Sequence, residues 1–150
     1  MAEVAELNQA DLTRYPGYLL ARTRFQAFRN FDRHIGQPFG LRPVEYSILV
    51  LLAANRDVSQ NQLAHSLGVA APNMTAVLHK LEGRGLVERQ RSETDRRRQN
   101  IVLTSEGKRV LRRAVAASED MDKAWLARLS AGEQALLMEL LCKLAIAQQP

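Results

Sequence analysis

The 150-residue chain has a single cysteine, Cys142, three scattered histidines, no long apolar run and no internal repeat. One thiol excludes an internal disulfide, and no Cys-x-x-Cys pair lies near a histidine in the spacing of a zinc site. His34, His65 and His79 fall in different segments, and there is no G-x-S-x-G, no glycine-rich phosphate loop and no H-x-x-x-H. Nothing supplies a nucleophile with its base, so the reading is of a protein that is not an enzyme and needs no metal or cofactor. No apolar stretch reaches the length of a membrane helix, and the N-terminus lacks a basic segment leading into an apolar one. The expected location is the cytoplasm. Without repeats, solenoids and propellers drop out.

What remains is a composition ordinary for one globular domain, with 46% apolar and 25% charged residues. The formal net charge is +5, and its placement matters more than its size. Residues 76–113 hold eleven Lys/Arg against five Asp/Glu, a local excess that leaves the rest of the chain close to neutral. A basic charge confined to one segment is the footprint expected of a nucleic-acid-binding face.

Along the chain, residues 1–14 are polar and read as a lead-in arm or short helix. Pro16 then opens a helix to residue 35 with Leu19, Phe25, Phe28, Phe31 and Ile35 on one side, and Gly36 is expected just past its end. Pro38 and Gly40 mark 37–42 as a loop. A second helix over 44–54 is apolar almost all round and belongs inside. Ser59 and Gln62 form a capping box that starts a third helix near Gln60, ending at Gly68. Residues 69–72 make a turn into a fourth helix, 73–84, with Met74, Val77, Leu78 and Leu81 inward and Asn73, Thr75, Ala76, His79 and Lys80 outward.

Two strands follow, 86–91 and 99–104, the second with Ile101 and Leu103 inward and Asn100 and Val102 outward. Between them, 92–98 is a polar tip containing Asp95, Arg96, Arg97 and Arg98. Thr104 or Ser105 caps a long helix to about 127, and a second capping box, Ser130 with Glu133, starts a last helix through 147. The predicted architecture is mainly α with a small β-hairpin wing: a winged helix-turn-helix over 43–104, flanked by helices 1–36 and 105–150. The flanking helices carry more apolar surface than the winged unit covers, which is what a dimer interface needs.

The run Leu86-Val87-Glu88-Arg89, then Asp95-Arg96-Arg97-Arg98-Gln99-Asn100-Ile101-Val102-Leu103-Thr104, resembles the signature of the MarR (multiple antibiotic resistance regulator) family, with its D-x-R wing and its short strand ending in LT. The resemblance extends over helix order and length to nearly the whole chain. It implies a cytoplasmic homodimer that binds a palindromic double-stranded operator, with the fourth helix in the major groove and the wing in the adjacent minor groove. It also implies that Asp95 holds Arg97, the arginine that inserts. Two positions depart from the family's commonest recognition helix, where Ser is usual at Ala70 and Arg is frequent at Ala76. Base readout then rests on Asn73, Thr75 and His79, Ala71 and Pro72 can meet thymine methyls, and His79 and Lys80 reach phosphate.

Many family members are repressors released by a small aromatic or phenolic acid bound between the dimerisation helices and the winged unit. Tyr15, Tyr18, Arg22, Phe25, His34 and Tyr46 are the residues that could line such a pocket, an arginine taking the acid group while rings stack. The rival readings are packing for the aromatic stripe, a ligand-independent regulator, and a winged helix used for protein contacts. Cys142 lies on the last helix, away from the N-terminal position used by the family's peroxide sensors, and reads as a structural thiol.

Overall fold

A computed structural model describes residues 10–91 and 99–145 of the chain. After a 3-10 turn, Leu12–Arg14, the elements run α1 (Pro16–Phe31), a π-helical turn (Asp32–Gly36), α2 (Gln37–Phe39), α3 (Pro43–Ala54), α4 (Gln60–Ser66), α5 (Ala71–Gly83), β1 (Val87–Arg91), β2 (Gln99–Leu103), α6 (Ser105–Leu126) and α7 (Ala131–Ala145). The strands pair antiparallel, with Val87 opposite Leu103 and Arg91 opposite Gln99. This is the mainly helical, winged helix-turn-helix architecture anticipated from the sequence.

The core sits where α3, α4, α5, the hairpin and the first half of α6 meet. Ile48, Leu49, Leu63, Met74, Leu78, Leu81 and Ile101 have almost no accessible surface. Local signals set the borders of these helices. Pro43 starts α3, where its missing N–H costs nothing. Ser59 and Gln62 close a reciprocal capping box on α4, the Ser59 amide donating to Gln62 Oε1 at 2.8 Å. Ser130 and Glu133 repeat the device at α7. Thr104, not Ser105, caps α6, its hydroxyl accepting the Gly107 amide at 2.9 Å.

Three expectations are corrected. The first helical path does not stop at Gly36 or give way to a loop at 37–42. It passes through the π turn and α2 to Gly40, whose φ of +61° ends it. Gly36 serves another purpose: a Cβ there would lie 2.5 Å from Asp32 Oδ1, in space occupied by the carboxylate that accepts from Gln37 Nε2. Second, α5 starts two residues early, so Ala71 and Pro72 belong to its first turn. Third, Asn100 points inward. It is buried because its Nδ2 donates to Asp57 Oδ1 at 2.9 Å while the Ile101 amide donates to the Val58 carbonyl, tying the α3–α4 connection to β2. The aromatic stripe of the first helix divides between an exposed and an interior part. Phe25 and Phe28 are 61% and 51% exposed, and only Phe31 and Ile35 of that stripe reach the interior.

Candidate nucleic-acid interface

The inner face of α5 is fixed by Met74, Leu78 and Leu81. By the 3.6-residue period, this leaves Asn73, Thr75, Ala76 and His79 exposed, with Ala71 and Pro72 exposed at the helix start. The N-cap residue, Ala70, offers no side-chain acceptor, so the first amides of α5 are not capped from within. Thr75 is more constrained than the sequence suggested: its hydroxyl donates to the Ala71 carbonyl at 3.0 Å and accepts from Gln60 Nε2 at 2.8 Å. Asn73, Ala76 and His79 are the remaining outward residues on that face.

Lys80 is exposed, its side chain at 49%, and its ammonium also donates to Glu45 Oε1 on α3 at 2.7 Å, a partner that the sequence did not point to. Glu45 is 1% exposed, its other oxygen accepts the Arg42 amide at 2.9 Å, and Arg84 stands 3.8 Å away. Burial alone would push this carboxyl up. The Lys80 and Arg42 hydrogen bonds and the two nearby cations outweigh it and hold the group below its ordinary value. Arg84 also donates to the carbonyls of Gly40 and Phe39 at 2.7 and 2.8 Å, satisfying the end of the α1–α2 path. The C-terminal half of α5 is thereby bolted to the corner where the first helical path ends and α3 begins.

A second network faces outward and was not anticipated. Arg89 on β1 donates to Glu82 on α5 at 2.8 Å and to Gln60 on α4 at 3.3 Å, and Gln60 in turn meets Thr75. Two helices and the wing strand are thus held in register by one polar chain. Beside it runs a polar groove lined by Ser59, Gln60, Asn61, His65, Arg89 and Gln99. Only the spacing of the capping box hinted at this surface. Asp95, Arg96, Arg97 and Arg98 lie outside the described residues; Arg91 and Gln99, which flank them, are exposed at the end of the hairpin.

The six residues considered for an effector do not share one cavity. Tyr46 is half-buried, packs edge-on against Phe31 with centroids 5.8 Å apart, and donates its hydroxyl to Ser118 on α6. Tyr15 is exposed at the start of α1, Arg22 lies 6.0 Å over the Tyr18 ring, and Phe25 carries the Arg29 guanidinium at 5.9 Å. His34 alone lines a cavity of about 680 Å³ between α1 and the end of α6, with Gln26, Arg29, Asn30, Arg33, Trp125 and Arg128. Sequence reading missed those partners because Trp125 and Arg128 lie some ninety residues away along the chain. Among the described residues no group of three His, Cys, Asp or Glu could hold a metal ion.

Comparison with known proteins places this geometry. The MarR family model matches residues 41–98. A putative transcriptional regulatory protein for the hcr operon of Thauera aromatica is 35% identical over 95% of this chain and 86% of its own length. The transcriptional repressor CouR bound to a 23-mer DNA duplex superposes with a TM-score of 0.87 at 34% identity, covering 94% of this chain and 99% of its own. CouR bound to p-coumaroyl-CoA gives a TM-score of 0.85 at 32% identity, covering 95% and 99%. A winged unit with an outward polar helix, and relatives that regulate transcription, converge on one conclusion: the chain belongs to the MarR family of transcriptional regulators.

Proposed function

We propose that the protein is a homodimeric repressor that binds a palindromic operator through α5 and the wing and is released by a small aromatic or phenolic acid. The observation that carries this reading is the exposed face Asn73, Thr75, Ala76 and His79, braced from behind by Glu45 and from the side by Arg89. A helix held at both ends enters a major groove without first being ordered, so little binding energy is lost to immobilising it. Asn73 suits a bidentate contact to adenine, Ala71 and Pro72 suit thymine methyls, and the uncapped first turn of α5 suits a phosphate. The wing arginine Arg97 is assigned to the narrow minor groove, where the negative potential is strongest. Lys80 is assigned to Glu45 rather than to phosphate.

Dimerisation is supported by the apolar residues that one copy leaves uncovered on α1 and α7, Phe25, Phe28, Leu136, Leu140 and Leu144 among them. An aromatic effector is supported by the exposed rings along α1 and by CouR, described in complex with p-coumaroyl-CoA. The test is titration of the purified protein against the DNA upstream of its own gene over a range of salt. Affinity should fall by orders of magnitude between dilute and near-molar salt, with a linear log–log slope. A flat salt dependence, or no preference over unrelated DNA, would discard the operator reading and leave the winged unit as a protein-contact module.

A further inference from the structure

The cavity between α1 and the end of α6 is lined by three arginines, Arg29, Arg33 and Arg128, with His34 and Trp125, and among the described residues no carboxylate lines it; the Arg29 guanidinium also lies 5.9 Å over the Phe25 ring. Among the described residues none of the three arginines is ion-paired, although seven other cations are close to their own carboxylates or share one. Three like charges facing one cleft repel one another, and such an arrangement is stabilised by an anion of several charges. Duplex DNA is not that anion. The α6 helix starts at the base of the wing, and at 1.5 Å per residue Trp125 stands about 30 Å further along it.

The shape narrows the ligand. At about 680 Å³ the cleft is far roomier than one benzene ring with a carboxylate requires. Guanidiniums take phosphate oxygens in pairs, and the half-buried Trp125 offers a face on which a purine can stack. The same face of α1 continues past the cleft. Arg33, Arg29, Phe25, Arg22 and Tyr18 recur at spacings of three and four, so cations and rings form one stripe leading from the cleft toward the helix start.

We propose that Arg29, Arg33 and Arg128 form the phosphate-binding end of the effector site, and that the effector is the coenzyme A thioester of an aromatic acid rather than the free acid. The nucleotide end lies in the cleft with its adenine against Trp125, and the acyl end extends along Tyr18, Arg22 and Phe25. The inference rests on the effector reading given above and names the chemical class of its ligand.

Calorimetry on the full-length protein with p-coumaroyl-CoA, p-coumarate and free coenzyme A tests it, with operator release followed in parallel by fluorescence anisotropy. The thioester should bind at least a hundredfold tighter than p-coumarate, and free coenzyme A should bind measurably. The combined variant Arg29→Gln/Arg33→Gln/Arg128→Gln should lose at least a hundredfold in thioester affinity, with its p-coumarate affinity and its mass in solution unchanged. Equal affinity of the wild type for acid and thioester overturns the proposal, as does thioester binding that ignores the three substitutions. A variant that changes oligomeric state also overturns it, because the arginines would then face a partner subunit. If the thioester binds through the arginines yet leaves the operator complex intact, the site stands and release by an effector fails. If neither compound binds a protein that still binds its operator, both readings fail.

Discussion

Glu45 shows how a buried charge can be more costly to orphan than to keep. Its carboxylate is 1% exposed, whereas the Lys80 side chain that answers it is 49% exposed. Removing either partner is therefore not equivalent. In Lys80→Met the carboxylate stays buried with only the Arg42 amide and a 3.8 Å contact to Arg84, and the expected loss is about 3–5 kcal/mol in a urea melt. In Glu45→Gln the freed ammonium can turn to water while the amide oxygen still accepts, and the loss should be about 1–3 kcal/mol. The reverse order would mean that Lys80, not Glu45, is the buried partner. The pH dependence has a definite sign. Because the folded carboxyl is held below the ordinary 4.5, its contribution is fully present above that value and is lost as pH falls through the depressed one. Thermal melts from neutral pH down to about pH 3 should show a destabilisation limb that Glu45→Gln flattens.

At the scale of elements, the junction between wing and α6 has the least slack. Thr104 donates its hydroxyl to the Gly85 carbonyl at 2.6 Å, its amide donates to the Leu86 carbonyl, and Gly107 is buried so close that a Cβ would overlap that same Leu86 carbonyl. Backbone cannot rotate aside as a side chain does, so Gly107→Ala should cost about 3 kcal/mol or more and displace the hairpin relative to α6. Unchanged thermal stability, or unchanged amide shifts in β1, would contradict this packing.

The same contrast explains what was legible in the sequence. The capping boxes Ser59–Gln62 and Ser130–Glu133 close over three residues, so their spacing alone announces them, and the apolar period of α5 likewise fixes which side faces out. The partner of Lys80 is 35 residues away and that of Asn100 is 43, and no local pattern points at either. The sequence accordingly places Asn100 outward on its strand and does not reveal the Glu45 partner of Lys80. The continuation past Gly36 was hidden for a different reason: a glycine near a helix end reads as a stop, while here it makes room for the Asp32 side chain.

Over the whole molecule, one copy leaves a run of large apolar residues uncovered. Leu136, Leu140 and Leu144 repeat every four residues along α7 and are 53%, 47% and 71% exposed, and Phe25 and Phe28 on α1 are exposed to a similar degree. Fully covering a leucine stabilises by roughly 1.5–3 kcal/mol, and in a two-fold interface each such residue counts twice. The double substitution Leu140→Glu/Leu144→Glu would instead place four carboxylates in the proposed interface, which no apolar contact there can offset. The variant should sediment as a monomer at micromolar concentration while retaining the secondary structure of the winged unit. Its DNA binding should change in a diagnostic way. One winged unit neutralises half the phosphates that two do, so the log–log salt slope should fall to about half, and specific affinity should drop toward the non-specific level. A variant that remains dimeric would put the interface elsewhere on the surface. A monomer that keeps the full slope and affinity would mean that a single reader suffices, and the palindromic operator would lose its rationale.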